Sequence, residues 1–507
     1  MNAKHVYYID LVAESPAFFG GNEQGELLKN GQGELFLTGN SIGGALREYL
    51  IRIQVAPELI IKAMGGVVEQ ERVDKLESLE EDPSSDFTFQ ESKLYISDGM
   101  ITAAEKGVTE FPVKHGTSVD AAWGAAKEHH KYNLEYMEAG CLLSFRIECN
   151  FEETNRRDLK EKQLQPDELE LLIRTWVAGI QEGALRLGGQ KSNGFGKFFN
   201  KVLGRSVFSF DSVAEIEKYI FDRHKETDPK ELLNHWIQEK RETFPTITFT
   251  QEGIFPYGVY QSFEDLELTK QLKKQISGLQ KNKAGISYIP ASSLKGLLRY
   301  EFETLLRRMV ASKRFENISQ KDFVENLCEQ WLGSTQRKGK LIVNDLVFTE
   351  EQSVKVDRPR EKNDLPVYVK IDRLTGGVME GALKHQNEIQ GKARWSLDFY
   401  TEKSISNKTE ISPFLFPLIY MMRRIGSGKV PVGGRTTIGL GEFKAEYTKV
   451  HDNGLDYEIS NNENIKSDTH SYEWMRECYA EFTRWIESEY KCAEGMNSND
   501  SHSAIEA

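Results

Sequence analysis

Cysteine is scarce in this 507-residue chain, and its five copies (Cys141, Cys149, Cys328, Cys478, Cys492) are scattered with no C-x-x-C pair. That excludes a zinc ribbon of paired thiolates and a disulfide framework, and leaves reduced thiols. Long apolar runs are missing too, so nothing of about 18 residues is available to span a bilayer. The opening MNAKHVYYIDLVAE reads as a strand and lacks the apolar heart of a secretion signal. A cytoplasmic protein with no membrane contact is the expectation. The triplet GK[ST] is absent from both glycine-rich loops, GGQKSNG and GSGKVPVGG, which excludes a Walker-type NTPase.

Positive charge is also in deficit overall, 65 Lys and Arg against 78 Asp and Glu for a net −13, which at first sight disfavours a nucleic-acid partner. Distribution reverses that reading. Residues 67–91 hold nine acids and two bases, and residues 451–507 hold thirteen and four. Without these two segments the balance turns positive. Bases cluster in KGLLRYEFETLLRRMVASKR (295–314) and RRIGSGKVPVGGRTTIGLGEFK (423–444).

What the chain does have is an internal repeat. FLTGNSIGGALREYL (36–50) and YIPASSLKGLLRYEF (288–302) share Ser41, Gly44, Leu46 and Arg47 with Ser293, Gly296, Leu298 and Arg299. HGTSVDAAWGA aligns with YVKIDRLTGGV on Asp120 and Asp372. RLGGQKSNGFGKF aligns with PVGGRTTIGLGEF on four glycines and a phenylalanine. Gly44 precedes Asp120 by 76 residues, and Gly296 precedes Asp372 by 76. Such agreement in order and interval predicts a tandem duplication.

Within each copy, alternating or β-branched runs (HVYYIDLVAE, CLLSFRIECNF, TITFTQEGIF, KLIVNDLVF, RWSLDFYTE) predict strands. Leu294, Leu297, Leu298, Phe302, Leu305, Leu306 and Met309 fall at helical spacing, with Ser292 or Ser293 placed to cap the start. Two more helices precede the glycine loops. One opens at Pro166; the other takes Ser412 as N-cap and Pro413 in its first turn. The fold class is α+β: two tandem modules of ferredoxin or RRM type with antiparallel sheets. The division reads 1–205 for module one with an acidic insertion at 67–91, 206–243 for a helical connector, 244–450 for module two, and 451–507 for an acidic helix and disordered tail.

A serine-rich turn at a helix N-terminus favours an anion, with Lys295 and Arg299 on the first turns of the second copy and Arg47 in the first. The glycine loops allow close backbone approach and carry Lys191 and Ser192 in one copy, Arg435 and Thr436 in the other. Phosphate is the natural ligand. The middle anchor, with Lys114, His115 and Asp120, then Lys370, Asp372 and Arg373, has the composition of a projecting hairpin.

YIPASSLKGLLR, WLGSTQRKGKLIVND, VKIDRLTGGVMEGAL and RLGGQKSNGFGKF together resemble the RAMP-superfamily backbone subunits of type III CRISPR effector complexes, in a two-module version. The resemblance implies RRM-like modules stacked along a CRISPR RNA, each gripping its backbone and inserting a thumb hairpin that kinks the guide–target duplex. By position it implies that Ser41, Gly44, Arg47, Ser292, Ser293, Lys295 and Arg299 lie against guide phosphates, supported by Lys191, Ser192, Arg435 and Thr436. Residues of about 112–135 and 366–388 would form the thumbs, and target RNA and further complex subunits would be partners. Sequence would be read by base pairing. Family members with nuclease activity use an aspartate in the loop before the first anchor, with a divalent metal such as Mg²⁺; RNA binding itself needs no cofactor. Here that aspartate aligns with Gln24, flanked by Glu23 and Glu26, and the second copy has only Asp265 and Glu267 upstream. A guide-binding scaffold, a metal-dependent endoribonuclease and a protein–protein adaptor therefore remain three distinct readings.

Overall fold

The computed structural model describes residues 3–21, 25–69, 87–102, 111–119, 126–151, 163–210, 212–221, 246–282, 285–334, 337–356, 364–379, 383–400, 412–452, 455–462, 467 and 469–495. Glu23, Asp120, most of the acidic insertion, most of the connector and the tail beyond residue 495 lie outside these. The chain divides into two units, residues 1–244 and 245–507.

In the first unit the central strand β1 (Ala3–Ala13) buries Tyr7, Ile9, Leu11 and Ala13 on one face, the two-residue period of a sheet covered on one side. It pairs antiparallel with β2 (Leu142–Phe151) and with β3 (Phe198–Ser209). Strands 94–96 and 99–102 extend the sheet beyond β2. Residues 206–209, read from sequence as connector, instead finish β3, and Tyr219 of the short helix behind it packs edge-on against Phe208 and Phe210.

Helices α1 (Gly39–Arg52) and α3 (Pro166–Gln181) lie on the buried face, and α2 (Pro57–Met64) packs against α1. Proline at N1 has no N–H to leave unsatisfied, and Glu168 returns its carboxylate to the Gln165 amide at 2.9 Å, so α3 starts where its sequence says. Helices α1 and α3 are pinned together. Trp176 donates from Nε1 to the Leu46 carbonyl at 3.3 Å, and Gly179 lies so close to the Tyr49 ring that a Cβ there would stand 2.3 Å from its Cζ. Residues 113–119 and 126–135 form an antiparallel hairpin.

The second unit repeats the strand order. Its central strand β4 (Thr246–Val259) lies between β5 (Ile389–Tyr400) and strand 447–452, and strands 341–343 and 346–353 pair with β5 as their counterparts pair with β2. Helices α4 (Ala291–Met309), α5 (Gln320–Leu332), α6 (Leu415–Gly426) and α7 (Thr469–Ala493) enclose the core. Trp331 and Phe414 stack there at 4.7 Å, with Phe302 and Phe399 against Phe414.

Two local expectations are corrected. Helix α6 begins at Leu415 with Phe414 as N-cap; Ser412 contributes only its carbonyl, which accepts from the Leu415 amide at 3.1 Å, and Pro417 occupies the first turn, where its missing N–H has no partner to lose. Residues 451–452 and 455–460, read as part of an acidic helical segment, belong instead to paired strands that widen the sheet before α7 begins. The end of α7 is clasped to the unit by the Glu494 carboxylate, which accepts from the amides of Glu316 and Asn317 at 3.0 and 3.1 Å.

A methyl group at Gly179 has no room against Tyr49, so Gly179→Ala is expected to lower unfolding free energy by about 1–3 kcal/mol, the usual cost of overpacking. Chemical denaturation followed by tryptophan fluorescence measures it, and Tyr49→Leu in the same chain should restore most of the loss.

Candidate nucleic-acid interface

Both copies of the first anchor fold as a strand end, a short turn and a helix. In α1 the N-cap is Thr38, whose Oγ1 accepts from the Ser41 amide at 3.2 Å and lies 2.8 Å from Ser41 Oγ. In α4 the N-cap is Pro290, and neither Ser292 nor Ser293 caps the helix; both are already inside it, and Ser293 Oγ accepts from Gln261 Nε2 at 3.3 Å. A side chain from elsewhere supplies the missing acceptor. Asp98 Oδ1 accepts from the Gly39 amide at 2.7 Å, and Asp345 Oδ1 accepts from the Ala291 amide at 2.6 Å. Each aspartate sits in the corner between two successive strands that pair with one edge of β2 or of β5. The first amide of both helices is therefore held by an internal carboxylate.

The paired arginines also have matching duties. Arg47 Nη2 donates to the carbonyls of Met64 and Gly65, the latter at 2.5 Å, and Arg299 Nη2 donates to the carbonyl of Gly333 at 3.1 Å. Gly65 and Gly333 end α2 and α5 with φ of 75° and 80°. Carbonyls at a helix C-terminus lack intrahelical donors and carry the negative end of the dipole, so a guanidinium from the preceding helix fits there. Other bases of the basic runs also have internal partners: Arg424 pairs with Glu301 at 2.9 Å and Arg423 donates to the Ser460 carbonyl at 2.9 Å.

The glycine loops are congruent. Gly188, Gly194 and Gly196 have φ of 87°, 83° and 77°; Gly433, Gly439 and Gly441 have 93°, 93° and 87°. Gln190 and Arg435, at the same place in each loop, are both left-handed at 56° and 57°. Each loop is stitched to the segment after the central strand, with Gly189 donating to the Phe18 carbonyl and Gly434 to the Tyr260 carbonyl, both at 2.7 Å. At Gly196 and Gly441 a Cβ would strike the facing carbonyl oxygen at 2.1 and 2.0 Å, which only glycine avoids.

In the first unit this stitching brings the first and third anchors together. Ser41, Ala45 and Glu48 of α1 face Gly188, Gly189 and Lys191 across a cleft of about 280 Å³. Lys191 Nζ stands 3.8 Å from Glu48 Oε2, and Ser192 beside it is half-buried. In the second unit Arg435 lies over the Tyr368 ring at 4.4 Å and the Tyr260 ring at 5.7 Å. With the Gln386 amide oxygen turned toward it, Arg435 also donates through Nε and Nη2 at 2.8 Å. Thr436 follows, half-buried. Lys295 is lowered to about 8 by burial, helped by the neighbouring Arg299 cation.

One feature of both helices has no internal explanation. Gly44 and Gly296 are exposed, lie within helices, and have nothing within 4 Å of the position a Cβ would take. Glycine inside a helix costs roughly 0.5–1 kcal/mol relative to alanine.

The RAMP superfamily model matches residues 10–199 and 273–444, one span in each unit. The chain belongs to the RAMP superfamily. No individual curated protein matches it. Membership gives the chain an RNA-binding, CRISPR-associated character with RNA and complex subunits as partners, and no helix among the described residues is long and apolar enough to cross a membrane.

In the first RAMP module the hairpin carries Lys114, buried with its ammonium 5.3 Å over the Phe195 ring, and His115 in its first strand. In the second, Ile371 and Val378 bridge a tight loop. The Asp372 carboxylate accepts from the Leu374 amide at 3.0 Å and the Thr375 hydroxyl at 2.8 Å, bonds that hold its pKa below the usual carboxylate range, the backbone one first. That turn presents Leu374 at 97% exposure, flanked by exposed Lys370 and Arg373. Of the carboxylates considered for catalysis, Glu26 is exposed and its carbonyl accepts from Gly21. Asp265 is buried as the N-cap of helix 266–272 and pairs with Lys281 at 3.1 Å. Among the described residues no group of three or more His, Cys, Asp or Glu side chains converges as metal ligands would.

Sequence reasoning missed Asp98, Asp345, Thr38 and Glu48. The two aspartates were detectable as a repeated acid within SDGM and VNDL, each opening a strand, but their acceptor role depends on a long-range fold contact. Replacing Arg299 by Met keeps the stem and removes the donor to Gly333, so a loss of about 1–3 kcal/mol is expected in thermal unfolding, and Arg47→Met should behave alike.

Proposed function

We propose that the chain is a guide-RNA-binding backbone subunit of a type III antiviral CRISPR ribonucleoprotein, each RAMP module holding one segment of the guide. The observation that carries this reading is the open glycine on each first-anchor helix. A helical glycine with empty space before it keeps a surface low enough for a phosphodiester backbone to approach, and its twin at the same place in a divergent copy has the same geometry. Around it stand donors suited to phosphate: Ser41, Lys191 and Ser192 in module one, and Ser292, Ser293, Lys295 and Thr436 in module two. Arg47, Arg299 and Arg435 serve this surface as braces, fixing α1, α4 and the second glycine loop from behind. Leu374, next to Arg373 and close to Lys370, is a wedge for unstacking bases of the guide–target duplex, and the paired strands 113–119 and 126–135 take the matching role in module one.

The glycines separate this function from a purely structural role. Gly44→Ala and Gly296→Ala should each stabilise the fold by about 0.5–1 kcal/mol while weakening binding of single-stranded RNA on the order of fivefold, read by anisotropy at low salt. Stabilised variants that bind RNA as the parent does would overturn the reading, as would binding insensitive to salt.

Lysine 295 adds a pH signature. Its pKa lies below the ordinary 10.5, at about 8, so its positive charge is complete near neutrality and disappears as pH rises through that value. A bound phosphate favours the charged form, and RNA affinity should therefore fall between pH 7 and 9 by a factor of about five. Lys295→Arg keeps the charge throughout and should flatten that part of the profile.

A further inference from the structure

We propose that the cleft of the first unit is a guanine-reading pocket, with Glu48 and Lys191 as the pair that reads the base. This rests on the RNA-binding reading above for the source of the base but on separate chemistry for its identity. At about 280 Å³ the cleft has the scale of one nucleobase. Leu28, with the buried Phe19 and Leu37 behind it, lines it with apolar atoms, and Ser41, Glu48 and Lys191 supply the polar wall. Glu48 and Lys191 are reachable, with side chains exposed by 44% and 21%, and stand 3.8 Å apart.

An ammonium only donates and a carboxylate only accepts. Side by side they present a donor followed by two acceptors, the pattern of cytosine's pairing edge. Guanine is its complement: O6 accepts from Lys191, while N1–H and N2–H donate in parallel to the two oxygens of Glu48. No other RNA base has two adjacent donors. Cytosine and adenine would turn a ring-nitrogen lone pair toward the carboxylate, and uracil's single N–H lies between two carbonyl oxygens. Guanine entry forms three charge-assisted bonds with this pair.

The second unit shows that this is a property of one module. The repeat places Tyr300 where Glu48 stands, Thr436 where Lys191 stands and Leu297 where Ala45 stands, while Ser41 is matched by Ser293. The phosphate-facing serine is retained and the reading pair is not.

The full chain is titrated with fluorescent oligouridylate and with the same oligomer carrying one guanosine, and GMP, AMP, CMP and UMP are compared as competitors. One guanosine should tighten binding about tenfold, the discrimination of a good bidentate contact, and GMP should compete best. Glu48→Gln, which replaces one acceptor by an N–H₂ group, should reduce the guanosine preference to below twofold. Lys191→Met, on a different element, should reduce it too, so the outcome does not hang on one variant. Equal affinity for both oligomers together with no GMP preference overturns the proposal, as does full preference in both variants. Salt-dependent RNA binding without base preference would sink this inference and leave the scaffold reading standing; GMP-selective binding by a chain that holds no oligomer would do the reverse.

Discussion

In each unit one carboxylate holds the architecture of the binding surface: Asp98 on the Gly39 amide, and Asp345 on the Ala291 amide. A charge-assisted bond to the first amide of a helix satisfies a group that has no partner within the helix and lies at the positive end of its dipole. Because each aspartate leaves the corner between two successive strands, the bond also fixes the helix to the sheet. It carries a second effect. The anion-attracting end of the helix is taken by the protein's own charge, so in the proposed role a guide phosphate would be met one turn further along, at the bare glycine.

The opposite end of this assembly is set by the arginine that follows the glycine by three residues, reaching the carbonyls that close the next helix. Between the aspartate and the arginine the helix has little freedom, and the glycine loop, stitched to the segment behind the central strand, closes the arrangement from the other side. On this common frame the two copies have diverged at the residues beside the glycine loops. Lysine and glutamate line the cleft of one; the other places a guanidinium between two tyrosine rings.

The duplication and the α+β class were legible because they are written in residues whose backbone needs are peculiar. Glycines at left-handed positions recur in order in both loops, and the alternation of β1 and the helical spacing of α4 follow directly from burial on one face. Pro166 marked a helix start faithfully for the same reason, since its missing amide suits only a few positions. Legibility failed where a side chain answers to a backbone carbonyl or amide far away in sequence. Arg47 and Arg299 were read toward phosphate alone, and their bonds to the helix-terminal carbonyls of Met64, Gly65 and Gly333 came only with the fold, because arginine's chemistry is the same toward both kinds of oxygen. Ser292 and Ser293 looked like caps because serine is a good cap, yet Asp345 had already supplied the acceptor. The cleft beside Glu48 needed the fold, since its walls are separated by well over a hundred residues.

Carrying both modules on one polypeptide has a consequence for assembly. Two separate subunits would reach an RNA in proportions set by their relative expression, and each would bind with its own concentration dependence. A fused pair arrives in equal numbers, and in the proposed role, once one module has engaged the guide, the other would meet the same strand at an effective concentration set by the tether rather than by the cell. Weak individual grips, adjustable by a single lysine or a single glycine, then suffice for a long residence time, and the order of the two modules along the strand becomes a property of the gene.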